Sequence, residues 1–240
     1  MKNVHLRTKD GIKIELSYYN KGFDSVVIIA PGWCMTKDSK SFVEISNSFS
    51  DDFDVISFDF RGHGKSSGFY TFGAKEEAEI DEVIKFAKSK GYKKVFIIGF
   101  SLGAMIALLH QSKHNNANRA VFVSVPCNFD KIENKMWKKE AWGETFKKFE
   151  LSRFLSVRPY LIPLKKEKPV DCIKELKIPS LFVAGKKDPT VCFWHTEKLY
   201  NLAECEKDFV SYENGIHAED LFLYDRQGFC DLCANWFKKD

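Results

Sequence analysis

No apolar run in the 240 residues approaches the ~18 positions that a membrane-spanning helix needs, so no integral membrane segment is expected. The chain also lacks a dense block of one charge. Its 37 basic and 33 acidic residues leave a formal net charge of +4, with the lysine pairs scattered, and nucleic-acid binding is not indicated. A signal-peptide pattern is missing too. The opening "MKNVHLRTKDGIKIELSYYN" alternates and is punctuated by charge, which reads as a hairpin turning at Asp10-Gly11. The 7 cysteines are odd in number, which without a leader favours reduced thiols and a cytoplasmic setting. Cys230 and Cys233 lie one turn apart on a predicted C-terminal helix. No second Cys/His pair stands nearby to complete four ligands, so no metal is expected.

What is present is the composition of a soluble globular protein, 44% hydrophobic and 29% charged, with 22 phenylalanines. The length allows one α/β domain with a small insertion. Short β-branched runs predict strands at 25–30, 54–60, 94–100, 119–125, 179–185 and 207–213. Between them come helical patterns. Phe42, Ile45 and Phe49 share a spacing behind an N-cap at Asp38 or Ser39. Ala78, Ile80, Val83, Ile84 and Ala87 share a face before Gly91, "LGAMIALLHQ" follows residue 101, and 219–239 reads as one helix. Strands alternating with helices predict an α/β fold with a mainly parallel central sheet flanked by helices.

One stretch breaks the alternation. Residues 127–170 hold no strand candidate and mix aromatics, lysines and prolines; they predict a short helical lid over one end of the sheet. The core would then be 1–126 and 171–240.

In a parallel sheet, ligand sites gather at the carboxyl ends of the strands. Those ends carry, in order, Pro31-Gly32-Trp33-Cys34, Arg61-Gly62-His63-Gly64, Ser101, Asp188 and His217. Ser101 stands in Gly99-Phe100-Ser101-Leu102-Gly103, where a buried strand turns straight into a helix. That arrangement lifts a serine hydroxyl above the sheet. A serine alcohol is a poor nucleophile without a base, for which His217 is the candidate, with Asp188 holding its tautomer. An oxyanion needs two preplaced donors. The N–H of Leu102 is one, and the loop after residue 30 offers Trp33 first and Cys34 second.

Other titratable residues read as structural: His63 as a turn element, His195 as packing beside Trp194, and Asp59 as a local partner for Arg61. Asp130 is the runner-up to Asp188 as the acid.

These residues resemble the α/β-hydrolase fold, within it the small esterase, lipase and serine-aminopeptidase-like branch, over nearly the whole chain. "FDFRGHGKSSG", "GFSLGA", "GKKDPTV" and "IHAED" are similar to that branch's loop after the fourth strand, nucleophile elbow, acid turn and histidine loop. The resemblance implies an α/β-hydrolase fold and a Ser-His-Asp hydrolase without metal or cofactor. One departure is Pro31-Gly32 where many members have His-Gly; the donor is a backbone group, so activity should survive while the loop's hydrogen bonding differs.

The expected substrate is a small-molecule carboxylic ester with a short-to-medium or aromatic acyl group. Cys34, Phe100, Trp137 and Trp142 are pocket candidates, while Phe146, Phe149 and Phe154 read mainly as lid packing. A thioesterase and a small-peptide or amide hydrolase share every catalytic part. A catalytically silent binding protein on the same scaffold is the alternative of another class.

Overall fold

A strand buried on both faces must place apolar side chains alternately on either side, and the central runs of this chain do so. The computed structural model describes residues 1–133 and 156–239. Its strands are β1 (Lys2–Arg7), β2 (Lys13–Tyr19), β3 (Ser25–Ala30), β4 (Asp54–Phe58), β5 (Lys94–Phe100), β6 (Arg119–Val123), β7 (Ser180–Gly185) and β8 (Lys207–Tyr212). Among the described residues they form one eight-stranded sheet in the order β1-β2-β4-β3-β5-β6-β7-β8. β1 and β2 pair antiparallel, as does β2 with β4, and every pairing beyond that is parallel.

The pleat divides the core in two. Val26, Ile28, Val95, Ile97, Ala120, Phe122 and Phe182 pack on one face with helices α2 (Glu77–Ser89) and α3 (Leu102–His114). Val27, Ile29, Phe96, Ile98, Val121, Leu181 and Val183 pack on the other. That second face is covered by α1 (Lys40–Phe49) and by two C-terminal helices. Truncating a fully buried ring such as Phe122 to alanine costs about 3–5 kcal/mol.

Among the described residues the remaining α-helices are α4 (Pro169–Cys172), α5 (Trp194–Leu202), α6 (Glu219–Tyr224) and α7 (Arg226–Lys238). The single helix expected over 219–239 is therefore two. Asp225 breaks the run with φ −145° and ψ 82°, and its carboxylate accepts the Gly228 N–H at 3.0 Å to cap α7. At the start of α1 the cap position is Ser39.

The expected lid falls partly outside the described residues, and Trp137, Trp142, Phe146, Phe149 and Phe154 lie there. Its returning end is tied to the loop after β4. Arg158 N–H donates to Gly62 O at 2.7 Å, Tyr70 N–H donates to Arg158 O at 2.8 Å, and the Arg158 guanidinium donates to Ser66 O. Among the described residues no helix is long and apolar enough to cross a membrane.

Candidate active site

The turn from β5 into α3 is built by close approach. A Cβ on Gly99 would stand 2.5 Å from Ala104 Cα, and one on Gly103 would stand 2.3 Å from the carbonyl oxygens of Ala30 and Pro31. Both positions exclude any side chain. Between them Ser101 adopts φ 53° and ψ −120°, a conformation that costs a non-glycine residue about 1–3 kcal/mol. Its N–H donates to Val123 O on β6 at 2.9 Å and its carbonyl receives the Met105 N–H at 3.0 Å, which fix the strained residue from both sides.

Three side chains from three strand ends meet at this turn. Ser101 Oγ lies 2.9 Å from His217 Nε2, and His217 Nδ1 lies 2.7 Å from Asp188 Oδ2. With Nδ1–H donating to the carboxylate, Nε2 is left to accept the serine proton. The other Asp188 oxygen accepts the N–H groups of Thr190 and Val191, each at 2.9 Å. Burial pushes this carboxyl's pKa up, but the attraction of His217 and the hydrogen bonds from His217 and the two amides prevail. The net position is below the ordinary 3.8. Asp188 is thus an anion held at the buried end of the line.

The loop after β3 passes against the serine: a Cβ on Gly32 would stand 3.3 Å from Ser101 Cβ and from Phe100 O. Trp33 follows, and Leu102 opens α3; among the described residues neither backbone N–H has a protein acceptor. Both are therefore available to an anion at the serine, where the helix N-terminus also favours negative charge. Cys34, the second-choice donor, is different. It sits at φ 63°, and its N–H donates to His63 Nε2 at 3.2 Å, so this amide is committed to the protein.

His63 is accordingly a brace. Its ring is buried edge-on to Tyr70 at 4.4 Å, and Nδ1 faces Arg61 O at 3.2 Å. Donating from Nδ1 and accepting at Nε2, it is the neutral tautomer, and burial holds its pKa down at about 4. Asp59 braces the same loop three residues on, at Lys37. Its Oδ1 accepts the Lys37 N–H at 2.7 Å and its Oδ2 accepts the Lys65 N–H at 3.3 Å. The expected Asp59–Arg61 pair does not form. Arg61 bonds Glu79 at 2.6 Å and Asp10 at 2.8 Å instead, because its side chain turns toward α2 and the first hairpin.

Three further expectations meet the structure here. Phe100 is no pocket residue: its ring is fully buried 5.3 Å from Phe42 and 6.1 Å from Phe229, on the face opposite α3. Asp130 is exposed on a 3-10 turn after Asn128 and plays no part in the Ser101–His217–Asp188 line. His195 is buried, with Nδ1 accepting the Cys127 N–H at 3.2 Å and Trp194 stacked on it at 3.8 Å. Half-buried aromatics continue from the Trp33 ring to Phe72 and on to Phe129, each step 5.8 Å. Among the described residues no cluster of His, Cys, Asp and Glu is arranged to hold a metal.

One residue carried no signal in the sequence. Ser124, just past β6, is buried at φ 49°, and its Oγ accepts the N–H of Ala218, the residue after His217, at 3.0 Å.

Comparison with known proteins follows the same lines. YqkD of Bacillus subtilis is 27% identical over 173 residues, 68% of this chain and 55% of that protein. The chain spans about half the length of the curated relatives it matches. The Pyrococcus furiosus esterase Pf2001 superposes with a TM-score of 0.80 at 21% identity, covering 99% of this chain and 91% of that one. The Exiguobacterium antarcticum esterase EaEST gives 0.78 at 21% identity, covering 99% and 100%. These likenesses are of fold. A family model for the alpha/beta hydrolase fold matches residues 25–150, more than half of the sequence, and the chain belongs to that family.

Proposed function

We propose that the protein is a serine hydrolase that cleaves carboxylic esters through an acyl-enzyme. The observation that carries this reading is the unbroken line from Ser101 Oγ through the His217 ring to Asp188, with contacts of 2.9 and 2.7 Å. As Oγ attacks the ester carbonyl carbon, its proton passes to Nε2, and the carbonyl electron pair moves onto oxygen. The N–H groups of Trp33 and Leu102 receive that oxyanion, and Asp188 stabilises the imidazolium. The tetrahedral intermediate collapses, His217 returns the proton to the departing alkoxide, and an alcohol leaves. Water then gives a proton to Nε2 and its oxygen to the acyl carbon, and as the acyl–Oγ bond breaks Nε2 passes that proton to Oγ, releasing the acid and restoring Ser101. This chemistry as proposed calls for no metal or cofactor.

The aromatic row from Trp33 to Phe129 begins next to the oxyanion loop and supports a short-to-medium or aromatic acyl group. Cys34, half-buried in that loop, is a pocket residue in this reading. The small-molecule acyl ester remains the proposed substrate.

A fluorophosphonate probe on wild type and Ser101→Ala, with p-nitrophenyl esters from acetate to laurate, tests the proposal. Labelling and turnover that both vanish in the variant support it, and the chain-length profile sizes the pocket. Absence of labelling on folded wild type would sink it and favour a silent binding protein.

A further inference from the structure

Two consecutive residues at the end of β6 touch all three segments that bear the Ser101–His217–Asp188 line. Val123 O accepts the Ser101 N–H at 2.9 Å. Ser124 N–H donates to Val183 O at 2.8 Å, on the strand that leads into the Asp188 turn. Ser124 Oγ accepts the Ala218 N–H at 3.0 Å, adjoining His217. The first two are backbone bonds that any sequence would make. The third needs a side-chain acceptor at position 124.

That third bond falls where the backbone most needs holding. Ala218 is fully buried at φ 50° and ψ −111°, close to the conformation of Ser101, and it is not a glycine. Such a residue keeps its conformation only where its surroundings over-determine it. On its C-terminal side, Asp220 N–H bonds His217 O at 3.0 Å and Leu221 N–H bonds Ala218 O at 3.1 Å, which close the first turn of α6. Those bonds are local and travel with the loop. The Lys187 N–H to Gly215 O bond at 3.0 Å ties the loop to the turn after β7, and the Ser124 hydroxyl ties the Ala218 N–H to the end of β6, beside the strand that leads to Ser101.

Resting on the reading of His217 as the base, we infer that Ser124 is a positioning residue: its Oγ fixes the His217 backbone so that Nε2 stays within reach of Ser101 Oγ. It touches no reacting atom. Losing it lets the imidazole drift, and a displacement of about 1 Å in a reacting group lowers turnover by as much as about a hundredfold.

The test uses Ser124→Gly, which accepts a φ of 49° without strain and removes the hydroxyl with its Cβ, together with Ser124→Cys, which keeps the Cβ and is a weaker acceptor. Steady-state kinetics on a p-nitrophenyl ester, the melting temperature and the low-field proton resonance of His217 Nδ1–H are read on each. The expected result for the glycine variant is a kcat lowered by about tenfold to a hundredfold with KM within about twofold. Its low-field resonance should be broadened or shifted, and the cysteine variant should fall between it and wild type. A glycine variant that keeps wild-type kcat and an unchanged resonance overturns the inference. So does a loss of kcat that only parallels a loss of folded protein while the resonance of the folded fraction stays put. The resonance is read without substrate. If Ser101→Ala were to retain turnover, the hydrolase reading would fall, while an unchanged resonance in Ser124→Gly would separately remove the role of Ser124.

Discussion

Two histidines stand at the carboxyl end of the same sheet, and their surroundings set them to different work. His217 faces side chains through both ring nitrogens, a serine hydroxyl at 2.9 Å and a carboxylate at 2.7 Å. His63 faces only the backbone, accepting the Cys34 N–H at 3.2 Å and lying 3.2 Å from Arg61 O. The first side chain is partly open at 16% exposure, the second is sealed within the loops. A carboxylate beside an imidazole favours its charged form, whereas burial between amide groups opposes it. On the proposed reading the His217 ring takes and returns a proton, while the His63 ring holds a loop. What makes a base is the partner on the far nitrogen rather than the residue type or its place in the fold.

Substitution at the two sites breaks the comparison most directly. His217→Ala should lower kcat by about 10⁴- to 10⁶-fold on a p-nitrophenyl ester, since the acting groups fail as a unit. His63→Ala should lower it by no more than about a hundredfold, the scale of one misplaced oxyanion donor. Similar losses in the two variants, with both folded, would refute the division of labour.

Asp188→Asn removes the feature that separates the two rings. The amide keeps the shape but no longer selects the tautomer or balances the imidazolium, and kcat should fall by about 10⁴-fold with little change in KM. Retention of a tenth or more of wild-type kcat would show that the carboxylate is not what distinguishes His217.

The ends of strands were easy to read and the braces between loops were not. β3 and β5 lie where their apolar runs place them, because glycine and proline punctuate each end. Ser101, Asp188 and His217 stand at such ends, so the chain order exposed them. The Arg61 partners could not be read locally: Asp10 is 51 residues away and Glu79 is 18, joined only by tertiary packing. Phe100 was recoverable, since it shares parity with Phe96 and Ile98 and must face the same core. Likewise Asp225, three residues before Gly228, is a helix-capping signal inside an otherwise continuous pattern. Ser124 offered nothing, because inside "RAVFVSV" it reads as part of a strand over 119–125, whereas β6 ends at Val123, and a left-handed φ at a non-glycine residue leaves no mark.

The brace itself can be sharpened by separating what His63 does from what it is. A transition-state analogue such as a boronic acid should lose affinity for His63→Ala in step with kcat, because it needs the oxyanion donors. A neutral alcohol product should bind as before. His63→Gln, whose amide oxygen can accept the Cys34 N–H, should recover part of both losses. Equal weakening of the two inhibitors would point to a general collapse of the pocket instead.

The smallest effect lies in stability against pH, where the two braces of the oxyanion loop have opposite signs. Folding holds His63 at about 4 against an ordinary 6.5, through burial. As pH falls from about 6.5 to about 4 the unfolded chain therefore takes up the proton first, and stability drains. Asp59 is the reverse. Burial raises it to about 7, against which the Lys37 and Lys65 amides and the Lys37 charge pull down only partly. Its contribution is fully present below an ordinary 3.8 and is lost as pH rises through about 7. Across pH 4 to 6.5 the two slopes oppose each other, each at most about 1.4 kcal/mol per pH unit per proton. Urea unfolding at pH 4.5, 5.5 and 6.5 separates them. Relative to wild type, His63→Gln should gain stability as pH falls, and Asp59→Asn should gain it as pH rises. Two flat difference curves would mean that each group takes up its proton in the fold as it does in the unfolded chain. Two curves of the same sign would mean that the loop after β3 is held by one charge state rather than by an acid and an imidazole kept neutral together.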